Sequence, residues 1–337
     1  MRQLAIGYWL LAVGCLLLGS CGPEGDKFRL SGRLRNINQG EFMVYSPDGG
    51  LVGVDTIKVR DGRFSYEKEV RKEVTLMIVF PNFTEQVVFA APGKEVEIKG
   101  DATHLKEVSI KGTDENEELT KLRMRVNKLT PPEIPAAIAQ FIEENPTSII
   151  SIYLLDKYFV SARIPDCVEG QRLASLMLKA NPDNGRLRKL EKQLEGLKNS
   201  RLQASLPVFS TADINGKKTD NSLLKGKIGV ITTWATWNYQ STDIQRKLRK
   251  LQKKYPEKLA LISICMDGDK RECRKRVDRD SLLWSVVCDG QMFQTPIVQK
   301  LGLFTIPCMV VVDKQGKIIA RDIEQNKVEQ EVEKFLK

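Results

Sequence analysis

Residues Trp234–Ser241 have the sequence Trp-Ala-Thr-Trp-Asn-Tyr-Gln-Ser, and the segments on either side of this motif decide the fold. The seven residues that end at its first tryptophan form a near-continuous apolar run, as a strand buried on both faces requires. After the motif, apolar residues recur at helical spacing and give a single stripe: Ile244, Leu248, Leu251 and Tyr255. The sequence therefore predicts a central strand, a short connecting motif and an amphipathic helix.

Strand-like and helix-like patterns alternate from Leu206 to the end of the chain, which indicates an α/β domain. Further strands are predicted at residues 259–264 and 309–312. The turn residues 313–316 lead into one more strand, at 317–320. A closing helix is indicated by its apolar positions, Val328, Val332, Phe335 and Leu336.

The motif resembles the active-site segment of the TlpA/ResA-like branch of the thioredoxin and alkyl-hydroperoxide-reductase superfamily, in which it runs W-A-T-W-C-x-x-C. Asn238 and Ser241 stand at the two cysteine positions. Shorter matches follow in the family's order: Pro207-Val208-Phe209, Asn215-Gly216-Lys217, Leu224-Lys225-Gly226-Lys227, Thr305-Ile306-Pro307 and Asp313-Lys314-Gln315-Gly316-Lys317-Ile318. The resemblance covers residues 205–337 and implies a thioredoxin fold in which Pro307 is a cis proline facing the motif.

The family's usual dithiol–disulfide exchange is predicted to be lost. In the family, free N–H groups at a helix start stabilise the first thiolate, and the second cysteine resolves the mixed disulfide. Asn238 has no thiolate, although its oxygen can cap the same N–H groups. Ser241 has no candidate base, because the single histidine, His104, belongs to the N-terminal region. Gln240 replaces a usual proline, and Thr232 stands where many thioredoxins bury an acid.

Other cysteines could in principle take over the chemistry: Cys167, Cys265, Cys273, Cys288 and Cys308. Cys308 follows Pro307 and is the candidate thiol. Cys265 and Cys308 are expected two strand spacings apart, about 9.6 Å at ~4.8 Å each, which exceeds the ~7 Å Cα limit for a disulfide. The pairing of the other cysteines stays open. Without a Cys-x-x-Cys pair, a histidine cluster or tight cysteine spacing, no metal or other cofactor is predicted.

The N-terminal residues 1–20 predict a secretory signal, since Arg2 precedes an apolar run and small residues follow it. Leu18-Gly19-Ser20-Cys21 resembles the bacterial lipobox, which implies lipidation of Cys21 and a polar tether over residues 21–26. Gly22 is not the aspartate that retains lipoproteins at the inner membrane in the family rule. We therefore expect a lipid anchor in the outer membrane, facing the periplasm; a plain signal peptide with an incidental cysteine is the alternative.

The rest of the chain predicts two more regions, so that the fold class is multidomain: an N-terminal antiparallel β domain, a helical connector and a C-terminal α/β thioredoxin fold. Residues 27–113 carry hairpin signals, above all Asp61-Gly62 between alternating runs. They resemble the domain of unknown function that precedes thioredoxin domains in envelope lipoproteins. Residues 114–204 have helical patterns with a break at 181–185, and residues 205–337 form the thioredoxin-like domain.

Composition excludes a disordered chain, since 42% of the 337 residues are hydrophobic and 28% are charged. The net charge of +10 and the basic residues at 246–250 would suit nucleic acid. Because the chain is expected to be exported and tethered to a membrane, the basic residues are better interpreted as the solvated face of a helix. We therefore expect no nucleic-acid partner.

Two functional hypotheses remain. In the first, the protein is a redox-inactive binding or scaffold module. An extended polypeptide or a small ligand then occupies what we call the motif groove, formed by Trp237, Asn238, Tyr239, Ile306 and Pro307. In the second, the protein is an atypical thiol–disulfide oxidoreductase or peroxide-reducing protein that uses Cys308. Fold alone does not choose between them, because function depends on the site.

Overall fold

The computed structural model describes residues 25–162 and 165–337, so the predicted signal and Cys21 lie outside the described residues. The chain divides into two compact units. The first runs to Phe141 and includes Ser148–Tyr153, and the second comprises Ile142–Thr147 and Leu154–Lys337. Within the described part, no helix is long and apolar enough to cross a membrane. The expected order of a β region, helices and an α/β region is confirmed.

The first unit is built on an eight-stranded sheet in the order β6-β5-β2-β3-β4-β1-β7-β8. Its strands are β1 Lys27–Arg35, β2 Gln39–Tyr45, β3 Val54–Arg60, β4 Arg63–Glu69, β5 Val74–Val79, β6 Glu85–Ala90, β7 Glu95–Asp101 and β8 Ser109–Lys111. Neighbours are antiparallel except β1 and β7, which run parallel. The long stretch of chain between those two strands supplies the crossover that parallel pairing needs.

The predicted hairpin at Asp61-Gly62 is present, and it joins β3 to β4. Asp61 and Gly62 have φ angles of 49° and 70°, and a type I′ turn requires positive φ at both central positions. Phe42 of β2 packs edge-on against Phe64 of β4 and against Phe80, with ring centroids 5.3 Å and 4.6 Å apart. This aromatic cluster lies in the core of the first unit.

The helices of the middle region are α1 Asp114–Val126, α2 Glu133–Glu144, α3 Ile149–Leu155, α4 Cys167–Ala180 and α5 Gly185–Asn199. The predicted break separates α4 from α5, where Asn184 caps α5 by accepting a 2.9 Å hydrogen bond from the Leu187 N–H. After α5, the Arg321 guanidinium donates hydrogen bonds to the Ser200 carbonyl at 2.8 Å and to its hydroxyl at 2.6 Å. These bonds fix the end of α5 against the last sheet of the chain.

That last sheet has five strands in the order β13-β12-β11-β14-β15. The strands of this region are β9 Ser210–Ala212, β10 Lys218–Asp220, β11 Ile228–Trp234, β12 Leu259–Cys265, β13 Ser285–Val287, β14 Cys308–Val312 and β15 Ile318–Arg321. Its helices are α6 Tyr239–Lys254, α7 Lys270–Arg279, α8 Pro296–Leu301 and α9 Val328–Leu336. Strand β11 is central and buried throughout, parallel to β12 and antiparallel to β14.

The predicted helix stripes explain how α6 and α9 cover the sheet. Ile244, Leu248 and Leu251 of α6 are buried in one core cluster with three residues of α9: Val328, Val332 and Leu336. Phe335 is partly exposed and lies outside this cluster, unlike the other predicted α9 positions. Strand β11 ends at Trp234 and α6 begins at Tyr239, so the motif connects the end of the central strand to the start of this helix.

Candidate functional site

Asn238, at the position of the first family cysteine, is the N-cap of α6. Its backbone is extended, with φ −101° and ψ 105°, and its Oδ1 accepts a 2.8 Å hydrogen bond from the Ser241 N–H. The side-chain amide of Asn238 also donates to the Ile306 carbonyl at 3.4 Å. One side chain thus satisfies an otherwise unpaired N–H at the helix start and contacts the proline loop.

Ser241, at the position of the second family cysteine, points into the protein and is fully buried. Its Oγ accepts a 3.1 Å hydrogen bond from the Ala235 N–H and donates to the Asn238 carbonyl at 2.8 Å. Within the described part of the chain, every hydrogen-bond partner of this hydroxyl is a backbone group. The hydroxyl therefore holds the connecting loop in place and has no base to activate it.

The proline loop has the predicted cis peptide bond between Ile306 and Pro307. Two threonines of β11 hold it. The Thr233 hydroxyl donates to the Thr305 carbonyl at 2.7 Å and accepts from the Cys308 N–H at 2.8 Å, and the Thr232 hydroxyl donates to the Cys308 carbonyl at 2.9 Å. Thr232, which stands where an acid was expected from the family, therefore has a structural role.

Two aromatic side chains beside Asn238 are open to solvent. Trp237 is 65% exposed and Tyr239 is 71% exposed, although large aromatic side chains usually bury most of their surface. The guanidinium of Arg246 lies 6.0 Å from the centroid of the Tyr239 ring. The Asn238 contact to the Ile306 carbonyl joins this exposed segment to the proline loop, and the motif groove as a binding site stays a prediction.

Cys308, the candidate thiol, is only 5% exposed. Its Sγ donates a 3.0 Å hydrogen bond to Oδ1 of Asp322. Burial, together with the negative charge of Asp322, raises the pKa of Cys308 to about 12. The thiol is therefore protonated at neutral pH, whereas disulfide exchange needs a thiolate. These surroundings argue against Cys308 as a redox nucleophile.

Three other cysteines meet at the far side of β12, and we call them the cysteine triad: Cys265, Cys273 and Cys288. Their sulfur atoms all lie within 4.8 Å of one another, and their side chains are at most 5% exposed. The neighbouring thiols of Cys265 and Cys273 lower the pKa of Cys288 below its ordinary value, and the Cys288 thiol donates to the Asp267 carbonyl at 3.9 Å. No disulfide is formed among the described cysteines, which are all free.

Sequence reasoning missed this cluster because its members are separated by 8 and 15 residues, whereas metal-site patterns are recognised by short spacing. The order of the strands could have indicated this cluster. Cys265 ends β12 and Cys288 directly follows β13, and these parallel neighbours end at the same edge of the sheet. The expected separation of Cys265 from Cys308 agrees with the pairing, since they face β11 from opposite sides at Trp234 and Thr233.

Comparison with known proteins agrees with this architecture. Residues 202–321 match the AhpC/TSA family, and residues 28–119 match a domain of unknown function, DUF4369. The thiol-disulfide oxidoreductase ResA of Bacillus anthracis is 31% identical over 134 residues, which cover 39% of this chain and 74% of the relative. The thioredoxin-like protein YneN of Bacillus subtilis is 25% identical over 115 residues, covering 33% of this chain and 65% of that protein.

Among solved structures, a thiol-disulfide oxidoreductase from Bacteroides fragilis is 26% identical, with a TM-score of 0.36. The match covers 39% of this chain and 99% of that chain.

Proposed function

Because this chain belongs to the ResA-like thiol-disulfide oxidoreductases of the AhpC/TSA thioredoxin-fold family, we propose that it keeps the family's groove and has lost dithiol exchange. Its function is then to bind, and the occupant of the motif groove is an extended polypeptide segment. The observation that carries this proposal is the use of both cysteine positions for backbone hydrogen bonds. Asn238 caps α6, and Ser241 holds the loop before it.

Loss of exchange follows from the chemistry of these two side chains. A disulfide is opened by a thiolate, and a second thiol then resolves the mixed disulfide. An amide at Asn238 cannot start this reaction. The buried hydroxyl of Ser241 has only backbone partners among the described residues and cannot complete it. Cys308 does not replace them, because its thiol is buried and its pKa is raised.

Binding of a polypeptide is supported by the exposed groups around the cap. Trp237 and Tyr239 offer large, rigid apolar surfaces that would be covered by a bound chain. Next to them, Ile306 and Pro307 are only partly buried and present backbone beside the start of α6. An extended peptide bound beside this loop would gain main-chain hydrogen bonds, and contacts of its side chains would give selectivity.

A trapping experiment tests the groove. Asn238→Cys places a thiol at a helix N-terminus, where a thiolate is stabilised, while Ser241 cannot resolve the mixed disulfide. We would measure the rate of mixed-disulfide formation with an unfolded, scrambled disulfide protein and with glutathione disulfide. Val208→Cys serves as the control, because Val208 is 76% exposed and lies outside the groove.

For each variant, the rate with the scrambled protein is divided by the rate with glutathione disulfide. This ratio removes the difference in intrinsic reactivity between the two engineered thiols. A groove that contributes even about 1.4 kcal/mol of binding would raise this ratio about tenfold in Asn238→Cys over Val208→Cys. We expect this tenfold excess to become smaller when Trp237→Ala is combined with Asn238→Cys, because the bound chain loses an apolar contact. Equal ratios for the two engineered thiols would show that the groove does not bind polypeptide.

We also propose that the protein acts at the cell envelope, anchored through Cys21. Support comes from the signal-like residues 1–20 and from the lipobox-like Leu18-Gly19-Ser20-Cys21. Roughly 0.8 kcal/mol for each buried acyl CH₂ makes an anchor of several chains firm. In this position the motif groove would meet extracytoplasmic polypeptides.

A further inference from the structure

We propose that Cys265, Cys273 and Cys288 form a binding site for one thiophilic metal ion, Cu(I), separate from the motif groove and independent of the function proposed for it. The three residues come from different elements: the end of β12, the first turn of α7 and the residue after β13. Their convergence is therefore a property of the folded domain. Free cysteines elsewhere in the described chain, Cys167 and Cys308, do not belong to the cluster.

The spacing of the sulfurs fits a three-coordinate site. The sulfur atoms lie within 4.8 Å of one another. With metal–sulfur bonds of about 2.3 Å, a metal at the centre of a sulfur triangle requires sulfur separations of about 4 Å. Small side-chain movements would therefore bring all three sulfurs to bonding distance.

The type and number of donors select the metal. Thiolates are soft ligands that favour Cu(I), zinc or iron–sulfur clusters, but structural zinc is almost always bound by four ligands. Among the described residues, no histidine nitrogen or carboxylate oxygen joins the three sulfurs. The surrounding core includes Trp234, Leu282 and Val286, and the cysteines themselves are at most 5% exposed. A closed site with three sulfur donors matches the soft ligands and low coordination number of Cu(I).

The local charge also suits a cation bound by thiolates. Lys270, the first residue of α7, packs its side chain beside Gly290, two residues after Cys288. Binding would form three Cu–S bonds and displace the protons that remain on the thiols to solvent, and no electron would be transferred. The charge of Lys270 would offset part of the negative charge of the loaded site.

Anaerobic copper titration of the full chain tests this site. The reduced protein would be titrated with Cu(I) against a chromophoric Cu(I) chelator, with bound copper counted for each chain. We expect one tightly bound ion in the natural protein and in the matched controls, Cys167→Ser and Cys308→Ser, which also replace buried cysteines. Cys265→Ser, Cys273→Ser and Cys288→Ser should each weaken binding by more than the roughly 10- to 100-fold that loss of an outer-shell partner costs.

X-ray absorption at the copper edge of the natural protein gives a second measurement that does not depend on the folding of any variant. Three sulfur neighbours at about 2.3 Å would support the site. Two sulfur neighbours would overturn it. Copper binding that survives when all three cysteines are replaced would also overturn it, as would zinc bound in preference to Cu(I), or a disulfide within the triad that prevents metal binding.

Discussion

The backbone N–H of Ser241 donates a 2.8 Å hydrogen bond to the side-chain oxygen of Asn238, so the two positions that carry cysteines in the family are joined as a helix cap. In relatives with cysteines, the same helix start favours a thiolate. Here the amide oxygen occupies that role and satisfies the N–H group without reactive chemistry. At the start of α6 a structural contact occupies the position at which the family resemblance implies a nucleophile.

Removal of this cap should lower the stability of the thioredoxin-like domain. We expect Asn238→Ala to reduce the free energy of unfolding by about 1 kcal/mol, because the Ser241 N–H loses its acceptor. Urea unfolding followed by tryptophan fluorescence measures this change, since Trp234, Trp237 and Trp284 all lie in this domain. Asn238→Asp is the matched control, because aspartate caps as well as asparagine and its charge suits a helix N-terminus. An unfolding midpoint that does not move in Asn238→Ala would contradict the assignment of the cap.

Cys308 should make stability depend on alkaline pH. Burial and Asp322 raise the folded-state pKa of Cys308 to about 12, above the value of roughly 8.5 for an unfolded thiol. The stabilising contribution is therefore complete below about pH 8.5 and is lost as the pH rises towards 12, by up to about 1.4 kcal/mol per pH unit. We expect the natural protein to lose stability more steeply between pH 9 and 11 than Cys308→Ser, whose hydroxyl does not titrate there. Parallel pH profiles would mean that Cys308 already ionises in the folded protein.

The anchor proposed at Cys21 predicts a change of location. Cys21→Ser should move the protein from the membrane fraction to the soluble fraction, because the sulfur that would carry the lipid is absent. Labelling with radioactive palmitate and fractionation of the producing bacterium measure both effects. Cys15→Ser, within the same N-terminal segment, is the control and should remain labelled and membrane-bound. Label retained in Cys21→Ser would contradict the anchor.

Much of the fold could be predicted from the sequence because the decisive patterns are local. The apolar run before Trp234 predicted the central strand with its observed ends, and the family position of Asn238 together with its side chain predicted the cap of α6. The cis bond before Pro307 was implied by the family resemblance and is present. The parallel pairing of β1 with β7 was not predicted, since it joins strands far apart in the sequence.

The sequence predicted some parts of the candidate site and not others. The motif and the proline loop lie in segments that resemble the family, so the sequence allowed groove residues to be proposed, and their binding role stays a prediction. The burial of Cys308 and its bond to Asp322 depend on β15 and the turn after it, which local patterns do not report. The cysteine triad depends on how β12, α7 and β13 converge, and that is a property of tertiary structure.

The most direct test of the central claim is disulfide-reduction turnover with insulin and dithiothreitol, for the natural protein beside an Asn238→Cys/Ser241→Cys double variant. We predict no turnover above the uncatalysed rate for the natural protein and measurable turnover for the double variant, because the scaffold keeps the helix start that stabilises a thiolate. Turnover by the natural protein that is lost in Cys308→Ser would contradict the account and would place the chemistry behind the proline loop.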